Sequence, residues 1–234
     1  MRHNKFTLVE LLVVICIASL LMGVVLPAFN RMVTGSAVDR LASNLKLRLA
    51  RAQSEAAASR RDVALVLPNG TVPAEWNDVR LGGSRMCYVT TNSYVGTFNA
   101  WVPDETWAMP ENGAYLIYAG NDPTQIVAAG NAQRFGDNVG KPELSSAVAS
   151  VTDPAEEKPL KDITGITGIT GTFSASNNAI IFSPLGNIRS KRDVYLVVAE
   201  AFRNGDSLVF PGGGAYNFRA LKINRLTGNV EYVR

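Results

Sequence analysis

The sequence predicts an α+β fold in which one long N-terminal α-helix packs on a head of mainly antiparallel β-sheet. Three observations predict it. An apolar run over residues 6–29 is followed by a stripe of apolar residues at helical spacing that ends near residue 60. The remaining chain alternates short runs rich in β-branched and aromatic residues with Gly, Asn, Asp and Pro turns. No second helical stripe of convincing length follows, which favours antiparallel strands for the head.

Composition limits the classes of function that the chain can serve. It has 234 residues, a formal net charge of +3 and 47% hydrophobic residues, which is enough for one sizeable core. The mildly basic balance by itself indicates no nucleic-acid partner. The two cysteines are too few for a thiolate zinc site. We place Cys16 in lipid and Cys87 in water, which argues against a disulfide between them.

The chain has a single histidine, His3, which lies before the apolar run. A chain cut after its first five residues keeps no histidine. Ser-His and Cys-His nucleophilic sites and histidine-ligated metal sites are thereby excluded. Carboxylates are scattered through the head, and their spacing selects no catalytic pair. We therefore expect no enzyme activity, no catalytic residue, no cofactor and no metal.

The N-terminal segment has the composition of a membrane-spanning helix. Two positive charges lie in residues 1–5, and residues 6–29 contain only three polar side chains, Thr7, Glu10 and Ser19. A helix of this length crosses a bilayer core of roughly 30 Å at about 1.5 Å per residue, with its positive end in the cytoplasm. The alternative is a secretory signal peptide, but the run ends in Val-Leu-Pro-Ala-Phe-Asn, a poor cleavage site.

Glu10 is the unusual residue of this run, because a carboxylate in a membrane helix costs about 2.5–3.5 kcal/mol on insertion scales. If the chain is cut after Lys5, the new amino group of Phe6 becomes a candidate partner, in the same chain or in a neighbour. The alternative is a Glu near the interface whose side chain extends toward water. The residue types alone leave both interpretations open.

Apolar residues continue at helical spacing after the membrane segment, at Val33, Ala37, Leu41, Leu45, Leu49, Ala52 and Ala56. This stripe predicts an amphipathic continuation over residues 30–62, with the helix ending near 59–62. A helix that starts at Phe6 would be about 80 Å long at about 1.5 Å per residue. We expect Pro27 to bend or loosen it. The alternative is a signal anchor followed by an unrelated amphipathic helix.

The remaining residues, 63–234, are predicted to form a β-rich head. Strands are expected at 63–67, 86–91, 115–118, 179–183, 194–202, 207–210, 221–224 and 229–233. Residues 131–172 are interpreted as an inserted loop, with a short edge strand as an option. An Ile-Thr-Gly triplet repeats three times there, which is too few copies for a solenoid. A calcium loop is disfavoured because spaced acidic ligands are missing.

Two further residue clusters invite a functional interpretation. The glycines at 82–83 and 212–214 precede neither a Gly-Lys-Ser/Thr sequence nor a helical pattern, so we interpret them as turn residues rather than phosphate loops. Trp76, Trp101 and Trp107 lie near loops. We favour a core or loop-anchoring role for them, with a sugar-stacking face as the alternative.

The segment Phe6-Thr7-Leu8-Val9-Glu10-Leu11 resembles the processing motif of type IV pilins and type II secretion pseudopilins. The resemblance implies that a prepilin peptidase cuts between Lys5 and Phe6 and methylates the new amino group of Phe6. It also implies that Glu10 pairs with the amino terminus of an adjacent subunit during assembly. Pro27 sits where many family members have a helix-kinking proline. The family usually has Gly before the cut, where this chain has Lys5.

Three later segments resemble H-type minor pseudopilins and FimT-type pilins. Residues 50–56 (Ala-Arg-Ala-Gln-Ser-Glu-Ala) are similar to the end of their long helix. Residues 181–186 (Ile-Phe-Ser-Pro-Leu-Gly) are similar to a strand and turn of theirs, and residues 226–230 (Leu-Thr-Gly-Asn-Val) to their closing hairpin. The resemblance covers the helix and both ends of the head, and it leaves roughly 73–172 uncovered.

The resemblance implies a pilin-like fold and a structural role, as a minor pseudopilin of a type II secretion pseudopilus or a subunit of a type IV pilus. Residues 1–5 are then a leader and 6–29 the membrane and assembly helix. The implied partners are a prepilin peptidase, other pilin or pseudopilin subunits and inner-membrane lipid. The chain would cross the bacterial inner membrane once with its head in the periplasm, and enter a filament on assembly.

Two alternatives to this role remain open. One is a minor pilin of a DNA-uptake or adhesive pilus, in which basic residues near the C-terminus are weak candidates for DNA contacts: Arg219, Lys222, Arg225 and Arg234. A solvated basic surface is the competing interpretation of these residues. The other alternative is a membrane-anchored enzyme or binding module.

Overall fold

The computed structural model describes residues 8–68, 73–92, 95–120, 160–169, 171–204, 207–210 and 217–233. Within these ranges, only the backbone is described at 23–35, 74, 168–169, 171–178 and 207. The described chain contains one α-helix, one 3-10 helix and eleven strands. The helix is α1 (Leu8–Ser59), and the 3-10 helix spans Ala74–Val79. The strands are β1 (Asp62–Val66), β2 (Arg85–Asn92), β3 (Val95–Trp101), β4 (Ala114–Gly120), β5 (Lys161–Ile169), β6 (Gly171–Phe182), β7 (Val194–Glu200), β8 (Phe202–Asn204), β9 (Ser207–Val209), β10 (Phe218–Ile223) and β11 (Val230–Val233).

The first sheet closes on itself in the order β1-β2-β3-β5-β6. Four of its pairs are antiparallel, and β3 pairs with β5 in parallel. Side chains alternate along its strands, as they must in a pleated sheet. In β1, Val63 and Leu65 face α1, whereas Ala64 and Val66 face the interior of the closed sheet. The first sheet therefore has a small apolar core of its own.

The second sheet has the order β11-β10-β7-β4, and all of its pairs are antiparallel. Leu196, Val198 and Leu221 pack on the side that faces α1. Val197 and Ala220 belong to a separate apolar cluster on the opposite side. Both faces of β7 are therefore covered, which explains why its sequence is continuously apolar instead of alternating. Strands β8 and β9 form a separate hairpin.

The C-terminal half of α1 packs on both sheets through the predicted stripe. Six of the predicted positions are at most 2% exposed: Ala37, Leu41, Leu45, Leu49, Ala52 and Ala56. The side chain of Val33 lies outside the described ones. The helix ends at Ser59, within the predicted range. Arg60 then has a φ of 54°, a left-handed conformation that turns the chain back into β1.

The α+β class and the mainly antiparallel head are confirmed, and each predicted strand overlaps an observed one. The differences concern β3, β5, β6 and β7, and β6 begins at Gly171 instead of residue 179. Strand β3 was missed, because Val-Gly-Thr-Phe-Asn-Ala-Trp has little apolar alternation. The strand expected over 194–202 is divided, since β7 ends at Glu200 and β8 begins at Phe202.

The Ile-Thr-Gly repeat is a strand, so the inserted-loop interpretation is wrong over residues 161–169. Strand β5 has nine residues and pairs with β3 on one side and β6 on the other, so it is not a short edge strand. Gly165 has a φ of 73°, and the β5–β6 register shifts between Ile163 and Ile166. This bulge turns two isoleucines that are three residues apart to the same buried side. The triplet spacing hid the strand period. Residues 131–159 lie outside the described chain.

The three tryptophans pack against the core of the closed sheet. Trp76 is 2% exposed, and its ring lies edge-to-face with Trp107 at 4.9 Å and with Trp101 at 6.4 Å between centroids. The guanidinium of Arg85 lies 4.2 Å from the ring centroid of Trp101. This packing matches the core role that we favoured over a stacking face for sugars.

Cys87 lies inside the closed sheet and is 0% exposed, so its placement in water is wrong. The residue belongs to β2, whose inward-facing positions are apolar. Burial raises the pKa of the Cys87 thiol to about 12, which disfavours the reactive thiolate. Both Cys16 and Cys87 are free thiols.

Tyr88 links β2 to the end of the helix through a side-chain hydrogen bond. Its hydroxyl donates to Glu55 Oε1 at 2.6 Å. This hydrogen bond, with burial and the nearby negative charge, raises the pKa of Tyr88. The unfolded phenol, with a pKa of about 10, therefore loses its proton before the folded one. The stabilisation is present below about pH 10 and is lost as pH rises through the higher folded pKa.

We expect Tyr88→Phe to lower the free energy of unfolding by about 0.5–1.5 kcal/mol at neutral pH, the net value of one hydrogen bond. The variant should also lose less stability than the parent between about pH 9 and 11, near the phenol pKa. Thermal melts of the full chain in detergent at several pH values measure both effects. Glu55→Gln, which keeps an acceptor oxygen, is the control and should cost less. An unchanged alkaline decline in Tyr88→Phe would contradict the assignment.

Candidate assembly site

The described side chains of residues 8–22 of α1 expose apolar groups on every side of the helix. Five consecutive residues are 48–58% exposed: Leu11, Leu12, Val13, Val14 and Ile15. Five residues cover more than one helical turn, so no side of the helix is covered by the head. Leu8 and Leu20 are more open still, at 80% and 74%. Contiguous apolar surface of this kind marks a place where lipid or another protein binds.

The two polar side chains of residues 8–22 are accommodated differently. The Ser19 hydroxyl donates to the carbonyl oxygen of Ile15 at 2.8 Å, so its donor is satisfied inside the helix. Glu10 lies in the first turn of α1 and is exposed. Glu10 is the single acidic or basic residue among residues 8–22.

The other residues predicted for this site are described in part or not at all. Lys5 and Phe6 lie outside the described residues. Pro27 lies within α1, whose backbone is helical without interruption from Leu8 to Ser59. Among the described residues, no helix combines the length and the apolarity needed to cross a membrane.

The three segments that resemble minor pseudopilins and pilins meet around one side chain, Gln53. Its Nε2 atom donates to the carbonyl oxygen of Gly186 at 2.8 Å and to that of Thr227 at 2.5 Å. The two turns also contact each other, since the amide of Ile188 donates to the carbonyl oxygen of Arg225 at 3.1 Å. The sequence suggests each of these segments separately, and no local pattern indicates that they meet at Gln53. Its single amide group ties both turns to the helix.

Gly228 makes this close contact between the turns feasible. Its φ is 65°, a left-handed conformation that glycine adopts without strain. A Cβ atom at this position would lie 2.1 Å from the carbonyl oxygen of Gly186 and 2.7 Å from Gln53 Nε2. Any larger residue would therefore push the two turns apart.

Glu105 forms a second connection between head and helix, and the sequence alone does not reveal it. Its side chain is 2% exposed and forms ion pairs with Arg48 and with Arg51, the latter at 3.1 Å. Arg48 also donates to the carbonyl oxygen of Ser84 at 3.1 Å. Arg48 and Arg51 lie three residues apart, so both reach one side of the helix. Nothing in the local sequence distinguishes Glu105 from other acidic loop residues.

Among the described basic residues near the C-terminus, Arg219 lies apart from Lys222 and Arg225. Arg219 is paired with Asp39 of α1 at 2.7 Å, whereas Lys222 is paired with Asp193 at 3.3 Å and points to the other side of β10. The hydrogen bond with Asp193 raises the pKa of Lys222. Arg225 donates to the carbonyl oxygen of Lys191 at 2.7 Å. Arg234 lies outside the described residues. This arrangement favours a solvated basic surface over a DNA contact.

Two acidic residues of the head, Asp62 and Glu111, each form an ion pair with an arginine. Groups of three or more His, Cys, Asp or Glu side chains placed to hold a metal ion are absent from the described part of the chain. Asp62 pairs with Arg189 at 3.0 Å, and Glu111 pairs with Arg40 at 3.2 Å. Each carboxylate thus has a local cation.

Comparison with known proteins gives a limited likeness. No model of a protein family matches the sequence, and no curated protein does. Two solved structures match, both crystal structures of the type IV minor pilin FimU of Pseudomonas aeruginosa in different space groups. They have TM-scores of 0.42 and 0.37 and 12% sequence identity. The matches cover 85% of this chain and 90% and 91% of the pilin chains.

Proposed function

We propose that this chain is a structural, non-enzymatic subunit of a filament of the type IV pilin class. Within that class we propose a minor pseudopilin of a type II secretion pseudopilus. The observation that supports this most directly is the contrast between the two halves of α1. Positions such as Leu41 and Leu49 are buried under the head, whereas residues 8–22 expose apolar side chains on every side. The C-terminal half of such a helix is packed within the head, and its N-terminal half is suited to lipid or to other apolar helices.

The exposed apolar half supplies both the anchor and the assembly force. Eleven large apolar side chains between Leu8 and Met22 are exposed. Burying each one fully is worth about 1.5–3 kcal/mol. In the inner membrane, lipid covers them while the head stays in the periplasm. In the filament, the corresponding segments of neighbouring subunits cover them instead, so little apolar surface meets water at either stage.

Glu10 sets the register of this packing. A carboxylate inside a bundle of apolar helices needs a partner, and the amino group of Phe6 in an adjacent subunit can provide it after processing. Charge attraction is strong in a low-dielectric surrounding, and an unpaired buried carboxylate is strongly destabilising. A subunit that docks one turn out of register would not form this pair between subunits.

The processing step is tested by co-expressing the full chain with a prepilin peptidase and measuring its N-terminus by mass spectrometry. We expect a mature chain that begins with N-methylated Phe6. Lys5→Gly is the matched variant, because it restores the residue that the family usually has before the cut. Cleavage of Lys5→Gly alone would make the natural chain an unprocessed, anchored relative. If neither form is cut, the proposed class is wrong.

We expect Glu10→Ala to lower incorporation into filaments by at least about tenfold, because loss of a buried charge partner costs several kcal/mol and 1.4 kcal/mol is tenfold. Membrane insertion should be unchanged, since the substitution makes the segment more apolar. The amount of chain in sheared filaments relative to membranes measures the effect. Ser19→Ala is the control, because the Ser19 hydroxyl bonds only within its own helix. Normal incorporation of Glu10→Ala would refute the role of Glu10.

A further inference from the structure

One end of the head presents two exposed leucines. Leu185 is 91% exposed and Leu226 is 67% exposed. Each directly precedes a residue whose carbonyl oxygen is held by Gln53, namely Gly186 and Thr227. The leucines therefore share the end of the head at which α1 stops. We name this surface the leucine patch.

Hydrogen bonds within each turn hold both turns of the leucine patch in fixed conformations. The side chains of Ser183 and Asn187 are hydrogen-bonded, and the amide of Gly186 donates to the carbonyl oxygen of Ser183 at 2.9 Å. In the second turn, the Oδ1 atom of Asn224 accepts from the amides of Leu226 at 2.9 Å and Thr227 at 3.1 Å. A surface that is ordered before binding loses little conformational entropy on binding.

Positive charge surrounds the leucine patch. The same end of the head carries six basic residues: Arg60, Arg61, Arg189, Lys191, Arg192 and Arg225. All six are exposed, and contacts place them together. Arg189 pairs with Asp62, the residue that directly follows Arg60 and Arg61 in the chain. Arg225 donates to the carbonyl oxygen of Lys191. The whole chain has a formal charge of only +3, whereas this end of the head carries six basic residues beside the two carboxylates of Asp62 and Asp193.

We propose that the leucine patch docks an acidic protein surface with an apolar socket, carried by a different subunit of the filament. Apolar groups at the centre with charges at the rim are the usual anatomy of a protein interface. Complementary charge would steer the partner and fix its orientation. The identity of the partner as a filament subunit rests on the proposed function, whereas the chemistry of the partner surface rests on the patch.

Three other occupants fit the leucine patch less well. A membrane surface is distant, because Gln53 lies about 36 Å beyond residue 29 at about 1.5 Å per residue of helix. Nucleic acid is held mainly through its phosphates, and it offers no apolar socket for the exposed side chains of Leu185 and Leu226. A second copy docked patch to patch would bring like charges together.

The test places the photo-crosslinking residue p-benzoyl-phenylalanine at Leu185 of the full chain, in bacteria that assemble the filament. We expect a cross-link to a different subunit with a pilin-type N-terminus, through a peptide rich in Asp and Glu. Phe202 of β8, which is 51% exposed and lies outside the patch, is the control position. We expect Arg60→Glu with Arg192→Glu to lower the yield at Leu185 about tenfold at low salt, by reversing the steering charge, and not at Phe202.

Three results would overturn the proposal: a cross-link to duplex DNA, a cross-link to lipid or another copy of this chain, and equal yields at Leu185 and Phe202. A yield that does not respond to the charge reversal would also overturn it. These failures are distinct from failure of the proposed function. In that case Phe6 would not be processed, or Glu10→Ala would enter filaments normally, whatever the cross-link at Leu185 shows.

Discussion

Replacing Glu105 by alanine is expected to lower the free energy of unfolding by about 3–5 kcal/mol, the usual cost of removing one partner from a buried ion pair. The Glu105 side chain is 2% exposed and neutralises Arg48 and Arg51. Arg48 is itself only 16% exposed, so in the variant its charge stays largely buried without a carboxylate. The loop after β3 would also lose its tie to the helix.

Thermal melts of the full chain in detergent, followed by tryptophan fluorescence, measure this effect, because the three tryptophans pack near the loop that carries Glu105. Glu111→Ala is the matched control. Glu111 is 26% exposed and pairs with Arg40, which is 53% exposed. Such a solvated pair is worth about 0–1 kcal/mol. If both variants lose the same stability, Glu105 has no special role.

Gly228→Ala is expected to lower the free energy of unfolding by about 2–4 kcal/mol, from steric overlap and a left-handed backbone. The added methyl group would lie 2.1 Å from the carbonyl oxygen of Gly186, which is backbone and cannot rotate away. Moving the turn would in addition break the hydrogen bonds from Gln53. We also expect the variant to displace Leu226, and so to weaken the cross-link at the leucine patch.

Gly165→Ala separates the steric part of this effect from the backbone part. Gly165 has a φ of 73°, close to the 65° of Gly228, but a Cβ atom there has no atom within 4 Å. Its substitution should cost only about 1–2 kcal/mol, the penalty of a left-handed residue with a side chain. Melts of the two variants under identical conditions give the comparison. Equal losses would mean that the Gly186–Gly228 contact tolerates a side chain.

The sequence predicts the fold well wherever the signal is local. The stripe from Ala37 to Ala56 is periodic, and each of its members that is described is buried as predicted. Strand β5 was not predicted, because a bulge at Gly165 makes its buried residues recur at every third position instead of every second. A bulge of this kind depends on the neighbouring strand, which a local pattern does not contain.

The candidate site divides in the same way. The apolar run and Glu10 are visible in one short segment, so both could be predicted from it. Gln53 and Glu105 could not, because Gln53 lies 133 and 174 residues from its partners and Glu105 lies 57 residues from Arg48. These pairs exist only after the sheets have brought distant segments together. Composition records that acidic and basic residues are present, but not which of them meet.

The helix and the strands that cover it are far apart in the sequence, which has a consequence for how the chain folds during synthesis. The helix is made first, yet its apolar stripe is covered partly by β10 and β11, which are made last. Closing the first sheet likewise joins β1 to β6, across about half of the chain. Contacts of such high sequence separation fold slowly. A nascent chain would therefore carry an uncovered helix stripe until its final hairpin has been synthesised.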